Sequence, residues 1–229
     1  MNAREKFGGS VALLCGVLLC APSLSPAQGT VSGRIAIQDK PGEKVTDFAS
    51  TVVYLTPRTG TPRVSEIKTQ MAINGRAFSP RVRVVTVGSS VEYPNQDPFS
   101  HNVFSTAPGA SFDLGIYGSG TSKAWQFRKA GAFPVYCNIH EKMTAYVVVV
   151  STPYHALAAA DGRWNIAKVP AGKYALHFWH ERAAEVITEV DVPAAGLSDL
   201  EGKLDASGFK QLAHKNKFGQ DYAAAGTKY

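Results

Sequence analysis

Cysteine is scarce in this chain, with three in 229 residues, and two of them are not expected to reach the mature protein. Arg4 and Lys6 make a short basic start, Val11 to Ala21 an apolar run, and Ser25-Pro26-Ala27 a small-residue site. That layout predicts a secretory signal peptide over 1–27, cleaved after Ala27. An apolar run of about 11 residues falls short of the ~20 needed to span a bilayer, which argues against an anchor there. Lipid attachment at Cys15 or Cys20 is disfavoured, because each follows a Leu where such sites carry a small residue. No later run is long and apolar enough to cross a membrane, so the mature chain is expected to be soluble, exported and periplasmic. With Cys15 and Cys20 removed, Cys137 stands alone. Unpaired thiols are normally bridged or avoided in an oxidising compartment, so a lone one needs a reason: intermolecular pairing or metal ligation.

Other absences narrow the field further. After the signal there is no strong helical pattern and no internal repeat. No arginine-rich run or interleaving of aromatic and basic residues points to nucleic acid. The formal charge is +6, and losing Arg4, Lys6 and Glu5 with the signal lowers it by one. Such a mild excess fits solvated surface lysines and would help docking to an acidic partner. Hydrophobic content of 45% with 18% charged residues excludes bulk disorder.

What is present is β pattern. Val31 to Ile37 alternates apolar and polar residues before a Pro41-Gly42 turn, and Ser50 to Leu55 is a β-rich run ending at Pro57. Residues 58–70 read as a connection. Strands are predicted at Arg81 to Val87, Ser90 to Tyr93, His101 to Ser105, Lys123 to Phe127 and Ala132 to Tyr136. Ala145 to Val150 is apolar and β-branched throughout, the mark of a strand buried on both faces. Beyond Tyr154 come Arg163 to Ile166, Lys173 to Trp179, Val186 to Val192 and a run from Leu197 to Leu204 weakened by Gly202. Many short strands with frequent turns imply an all-β fold of sandwiches.

The chemistry concentrates in Cys137-Asn138-Ile139-His140-Glu141-Lys142-Met143, a loop between two strand patterns. A Cys-x2-His-x2-Met loop can bend all three side chains toward one point. His101, opening a strand after the turn-rich Pro94-Asn95-Gln96-Asp97-Pro98, is the best source of a second imidazole. One thiolate, two imidazoles and a thioether match the trigonal His2Cys set with a weak axial Met that suits electron-transfer copper. Structural zinc rarely uses methionine and prefers four strong ligands. A Cys137–His140 nucleophile and base pair is the weaker reading. His177 and His180, three apart on a strand, would face opposite sides and read as interfacial or surface residues. His155 and His214 have no obvious partners, and the basic tail through Lys215 and Lys217 reads as solvated.

At these residues the chain resembles the cupredoxins, the blue copper proteins of the amicyanin, plastocyanin and methylamine-utilisation type. The resemblance rests on His101-Asn102-Val103 and the Cys-x2-His-x2-Met spacing, and extends to Phe112-Asp113-Leu114-Gly115. It implies a Greek-key β-sandwich holding one copper ion, Cu(I) or Cu(II), through His101, Cys137, His140 and Met143. It also implies that Asn102 tethers the two ligand loops as a supporting residue. Glu141 departs from the proline or apolar residue that many cupredoxins carry beside this histidine, which puts the apolar docking face in question. The His-x-His pairs of copper oxidases and nitrite reductases are missing. The resemblance therefore implies an electron carrier serving protein redox partners, not an enzyme, with a copper(I) carrier as the alternative.

The flanks resemble a second family, the transthyretin-like sandwiches of carboxypeptidase regulatory-like domains. Ser32-Gly33-Arg34-Ile35 and Val52-Val53-Tyr54-Leu55 match its first strands; Asp161-Gly162-Arg163-Trp164 and Val169-Pro170-Ala171-Gly172-Lys173-Tyr174 match later ones. That likeness implies a module whose ligand would be a glycan or a protein. The expected organisation is a signal at 1–27, regulatory-like strands at 28–66, a copper domain at 67–151, the rest of the regulatory-like sandwich at 152–205, and a basic tail at 206–229. Insertion of the copper module into the second sandwich is preferred over two appended strands followed by an independent domain.

Overall fold

The computed structural model describes residues 28–222, and the signal peptide expected over 1–27 lies outside them. The described chain is all-β, as the alternation predicts, with one 3-10 turn at Phe48–Ser50 as its only helical segment. The strands begin with β1 (Gln28–Gln38), β2 (Val52–Pro57), β3 (Lys68–Gln70), β4 (Ala72–Asn74), β5 (Ala77–Ser79) and β6 (Val82–Thr86). Next come β7 (Ser90–Pro94), β8 (His101–Ala107), β9 (Ala110–Tyr117), β10 (Ser122–Gln126), β11 (Gly131–Cys137) and β12 (Thr144–Val150). The last five are β13 (His155–Leu157), β14 (Arg163–Pro170), β15 (Gly172–His180), β16 (Ala183–Val192) and β17 (Gly196–Asp205).

Two cores divide these strands. β1 and β2 pair with strands that come after Val150, giving one sheet of order β14-β1-β17 and another of order β13-β2-β15-β16. Between the sheets lie Val31, Ile35, Leu55, Trp164, Leu176 and Phe178. Strands β3 to β12 build a separate sandwich, with β10-β7-β3 on one side, β6-β12-β11-β8-β9 on the other, and β4–β5 as a hairpin. Its core includes Val91, Tyr93, Val103, Phe112, Phe127, Val135 and Val147.

β12 belongs to both environments. Ala145, Val147 and Val149 enter the middle core, while Val148 and Val150 pack on the opposite face with Val52 and Val82, alongside Tyr54, Leu157 and Trp179. A strand serving two cores must be apolar on both faces, which accounts for its unbroken apolar run. Burying each valine contributes roughly 1.5–3 kcal/mol. The Arg81 guanidinium reinforces this seam by donating from Nη2 to Glu181 Oε2 at 2.7 Å.

Several elements differ from the sequence reading. β3 falls inside the stretch read as a connection, and β4, β5 and β13 were not expected; each has three residues, too few to show an alternation. β9 was also not anticipated. β17 runs through Gly202 because a Cβ there would stand 2.6 Å from the Phe178 ring, so the glycine makes room for packing. His180 is neither interfacial nor at the surface: it is 1% exposed and its Nε2 faces the carbonyl of Asp47 at 3.4 Å.

Arg182 closes the outer sandwich, donating from Nε and Nη2 to both carboxylate oxygens of Asp47 at 2.7 and 2.8 Å and from Nη1 to Asp39 at 2.5 Å. The Arg182 hydrogen bond holds Asp39 below its ordinary value. Burial would raise Asp47, but Arg182 and the neighbouring His180 outweigh it and leave this carboxyl lowered too. Depressed folded values mean that the stabilisation is complete above the unfolded carboxylate value of about 3.9 and disappears as pH falls through the lower folded values. Thermal melting across pH 2–6 should therefore show an acid-side loss in the wild type. Arg182→Gln should melt lower at pH 6 and show a shallower acid slope; a slope unchanged by the substitution would exclude this network as its source.

Candidate metal centre

The site begins with strand register. β8 and β11 are antiparallel neighbours with Cys137 opposite Val103 and Tyr136 opposite Phe104. Residues directly opposite share a face and side chains alternate along a strand, so His101, two before Val103, lies on the same face as Cys137. The loop after Cys137 then turns back on itself. The N–H of Met143 donates to the His140 carbonyl at 3.0 Å, and that of Cys137 to the Met143 carbonyl at 3.2 Å. His140 is thereby carried over the same spot.

The result is a compact donor set. Cys137 Sγ lies 3.7 Å from Nδ1 of His101 and 3.7 Å from Nδ1 of His140. The three donor atoms fall within 4.8 Å of one another, and this is the one such cluster of three or more His, Cys, Asp or Glu groups among the described residues. His101 and Cys137 are fully buried, and His140 is half-buried at the rim. Met143 is 1% exposed at the foot of the loop and belongs to the core cluster that includes Cys137.

Each donor is prepared by its surroundings. His101 presents Nε2 to Asp97 Oδ2 at 2.8 Å. A carboxylate accepts only, so Nε2 carries a proton and Nδ1 is the nitrogen turned toward the sulfur. Asp97 is itself 4% exposed and takes the backbone N–H groups of Gly75 at 2.6 Å and Arg76 at 2.9 Å. Burial would raise its carboxyl, but those N–H groups and the His101 ring hold it below the usual range. Burial, helped by the neighbouring His101 ring and the Arg76 charge, pushes His140 below its ordinary value, which favours the neutral ring with a lone pair to donate. The Ile139 N–H points at the sulfur at 3.5 Å. Phe99 walls the pair of imidazoles, 5.3 Å from the His101 ring and 5.8 Å from that of His140, and the Arg76 guanidinium covers Phe99 at 5.0 Å.

Asn102 does not make the expected tether to the ligand loop. Its Nδ2 donates to Asp113 Oδ1 at 2.6 Å, and its Oδ1 is buried without a partner. The strand pairing explains this, because Asp113 on β9 comes up beside Asn102 near the register shift between Asn102 and Phe104. The contacts that sequence reasoning missed are Asp97, Phe99 and Arg76. Asp97 stood within the turn noted before His101, four residues ahead of it, but its backbone partners come from the β4–β5 hairpin, a pairing no local pattern reveals.

No protein-family model matches the chain, and no curated protein matches it. Solved structures do. A purple cupredoxin from Nitrosopumilus maritimus is 23% identical, over 36% of this chain and 99% of that one, with a TM-score of 0.33. A reduced amicyanin variant is 23% identical over 42% of this chain and 99% of its own, at a TM-score of 0.35. A copper-containing nitrite reductase from Thermus scotoductus SA-01 is 20% identical over 51% of this chain and 28% of that one, at 0.35. The all-β architecture and the His/Cys/His cluster are compatible with a cupredoxin-like sandwich, and what the site can do follows from its own atoms.

The Asp97–His101 contact can be read without any metal. Nitrogen-15 shifts of the apo-protein should show a proton on Nε2 of His101. Asp97→Ala should mix the tautomers and lower the melting temperature, since it removes the acceptor of two part-buried backbone N–H groups, each such bond being worth about 0.5–1.5 kcal/mol. An unchanged His101 tautomer in that variant would show that the carboxylate does not set it.

Proposed function

We propose that this protein is an exported electron carrier holding one copper ion through Cys137, His101 and His140, with Met143 as a weaker fourth donor. The observation that carries the reading is the pair of imidazole nitrogens, each 3.7 Å from one buried thiol. The donor chemistry fits: a soft thiolate with two neutral imidazoles and a thioether in reach of the loop suits copper better than zinc or hard cations. Bound copper would supply one-electron chemistry, alternating between Cu(I) and Cu(II) without gain or loss of atoms.

The chain's own residues account for the remaining requirements. β8 and β11 hold two donors on a rigid sheet, so ligand positions need not change with oxidation state. Phe99 and the apolar core keep water from the sulfur side. His140, the least buried of the three, is the edge through which electrons would pass to protein redox partners. The set of four donors leaves no position for a substrate, which favours a carrier over a copper enzyme. The exported, periplasmic setting follows from the signal pattern over 1–27.

Adding copper(II) to the purified protein and recording visible and electron-spin-resonance spectra tests this directly. An intense thiolate-to-copper absorption is expected, and Cys137→Ser should abolish it. Met143→Leu should keep the colour and raise the reduction potential, since a donor that favours Cu(II) is lost. A wild type that stays colourless with stoichiometric copper(II) would overturn the electron-carrier reading. If that protein held copper(I) tightly, a delivery role would replace it.

A further inference from the structure

The residues after β17 are largely exposed, as a solvated tail should be, but several of them are not free in solvent. They cross to the middle sandwich and settle beside the ligand loop. The His214 ring stacks on Tyr136, the residue before Cys137, with centroids 4.4 Å apart and planes at 21°. Tyr222 meets the same imidazole edge-on at 5.3 Å. Between them Asn216 folds the chain into a turn, its Oδ1 accepting the N–H groups of Phe218 at 2.9 Å and Gln220 at 3.0 Å. Lys217 anchors that turn through an ammonium 2.5 Å from Asp113.

Two hydrogen bonds then reach the ligand loop itself. The Lys217 N–H donates to Asn138 Oδ1 at 2.8 Å, and the Tyr222 hydroxyl donates to the Cys137 carbonyl at 2.7 Å. Among the described residues, the loop's other hydrogen bonds are its own turn, its ladder to β8 and the sulfur contacts with His101, His140 and the Ile139 N–H, while His140 packs on Phe99 and Met143 enters the core. The Asn102 side chain, which could have served as an anchor, is turned to Asp113.

We propose that residues 206–222 form a clasp that fixes the Cys137–Met143 loop, making Tyr222 and Asn138 positioning residues for the thiolate donor. The proposal rests on the metal reading of that loop for its consequence, slow metal loss, but the clasp itself exists in the apo-protein. Because the clasp springs from β17, the outer sandwich holds the loop that the middle sandwich displays. A loop clasped at Cys137 and Asn138 must break those contacts before it opens, and opening is what a metal needs in order to leave.

Amide hydrogen exchange on the metal-free full-length protein tests the clasp independently of copper. Tyr222→Phe removes one hydroxyl and keeps the ring; Asn138→Ala removes the acceptor for the Lys217 N–H, and Asn138→Asp restores it. Exchange across 137–143 should quicken about three- to tenfold in Tyr222→Phe and in Asn138→Ala, the size expected for one hydrogen bond. It should return toward the wild-type rate in Asn138→Asp, with β2 and β15 unchanged in all three. In the copper-loaded protein, Tyr222→Phe should speed stripping by a copper(I) chelator by a similar factor. Wild-type loop exchange in both Tyr222→Phe and Asn138→Ala overturns the proposal. So does faster exchange spread evenly over both sandwiches, which would mean a general loss of stability. A protein that never binds copper would sink the electron-carrier reading and leave the exchange result to decide the clasp.

Discussion

The antiparallel pairing of β8 with β11 is the constraint on which the centre depends. It places His101 and Cys137 on one face of one sheet, two rungs apart, so two of the donors meet without any loop having to find the other. The third, His140, needs only a short turn, closed by the two backbone hydrogen bonds between Cys137, His140 and Met143. A site built on a ladder resists distortion because moving either ligand breaks several hydrogen bonds at once. For the electron transfer proposed above, that rigidity would keep rearrangement between oxidation states small.

Around this pairing, charge and burial are distributed with a consistent sense. The deeply buried His101 is given an anion, Asp97, and that anion is satisfied in turn by two backbone N–H groups. His140 at the rim is shifted toward its neutral form by partial burial and by nearby positive charge. An inner imidazole backed by a carboxylate is the more strongly donating of the two, and the outer one is left as the edge toward solvent. One centre thus contains both a firmly held side and an accessible side.

The outer sandwich acts on the centre from two directions. The valine seam between β12 and β2 joins the sandwiches beneath the middle core, and the segment after β17 reaches the far end, at Cys137 and Asn138. β12 connects the seam to the loop, because it starts directly after Met143 and is buried along both faces. Strand β2 and the segment after β17, from opposite ends of the described residues, therefore support a site made from their middle.

The sequence alone established the all-β class, because strand-forming runs bounded by turn residues are local signals: β1, β7, β11 and β15 are where their patterns put them. It also named the three groups that the fold brings together, Cys137, His140 and His101, since the Cys-x2-His spacing is local and His101 opens a strand that its own residues define. The tertiary structure decided everything that depends on contacts between distant segments. Asp97 became the partner of His101 only when the β4–β5 hairpin delivered two N–H groups to it. Asn102 turned away from the loop because β9, a strand whose pattern was not recognised, brought Asp113 alongside. The tail looked solvated because its residues are polar and basic, yet Tyr136 offered His214 a ring face and Cys137 offered Tyr222 a carbonyl. Those partners lie 78 and 85 residues away in sequence, and hydrophobic periodicity carries no information across such separations. Local backbone chemistry sets strands and ligand spacing, while the choice of what each polar side chain touches is made only when the sheets have packed.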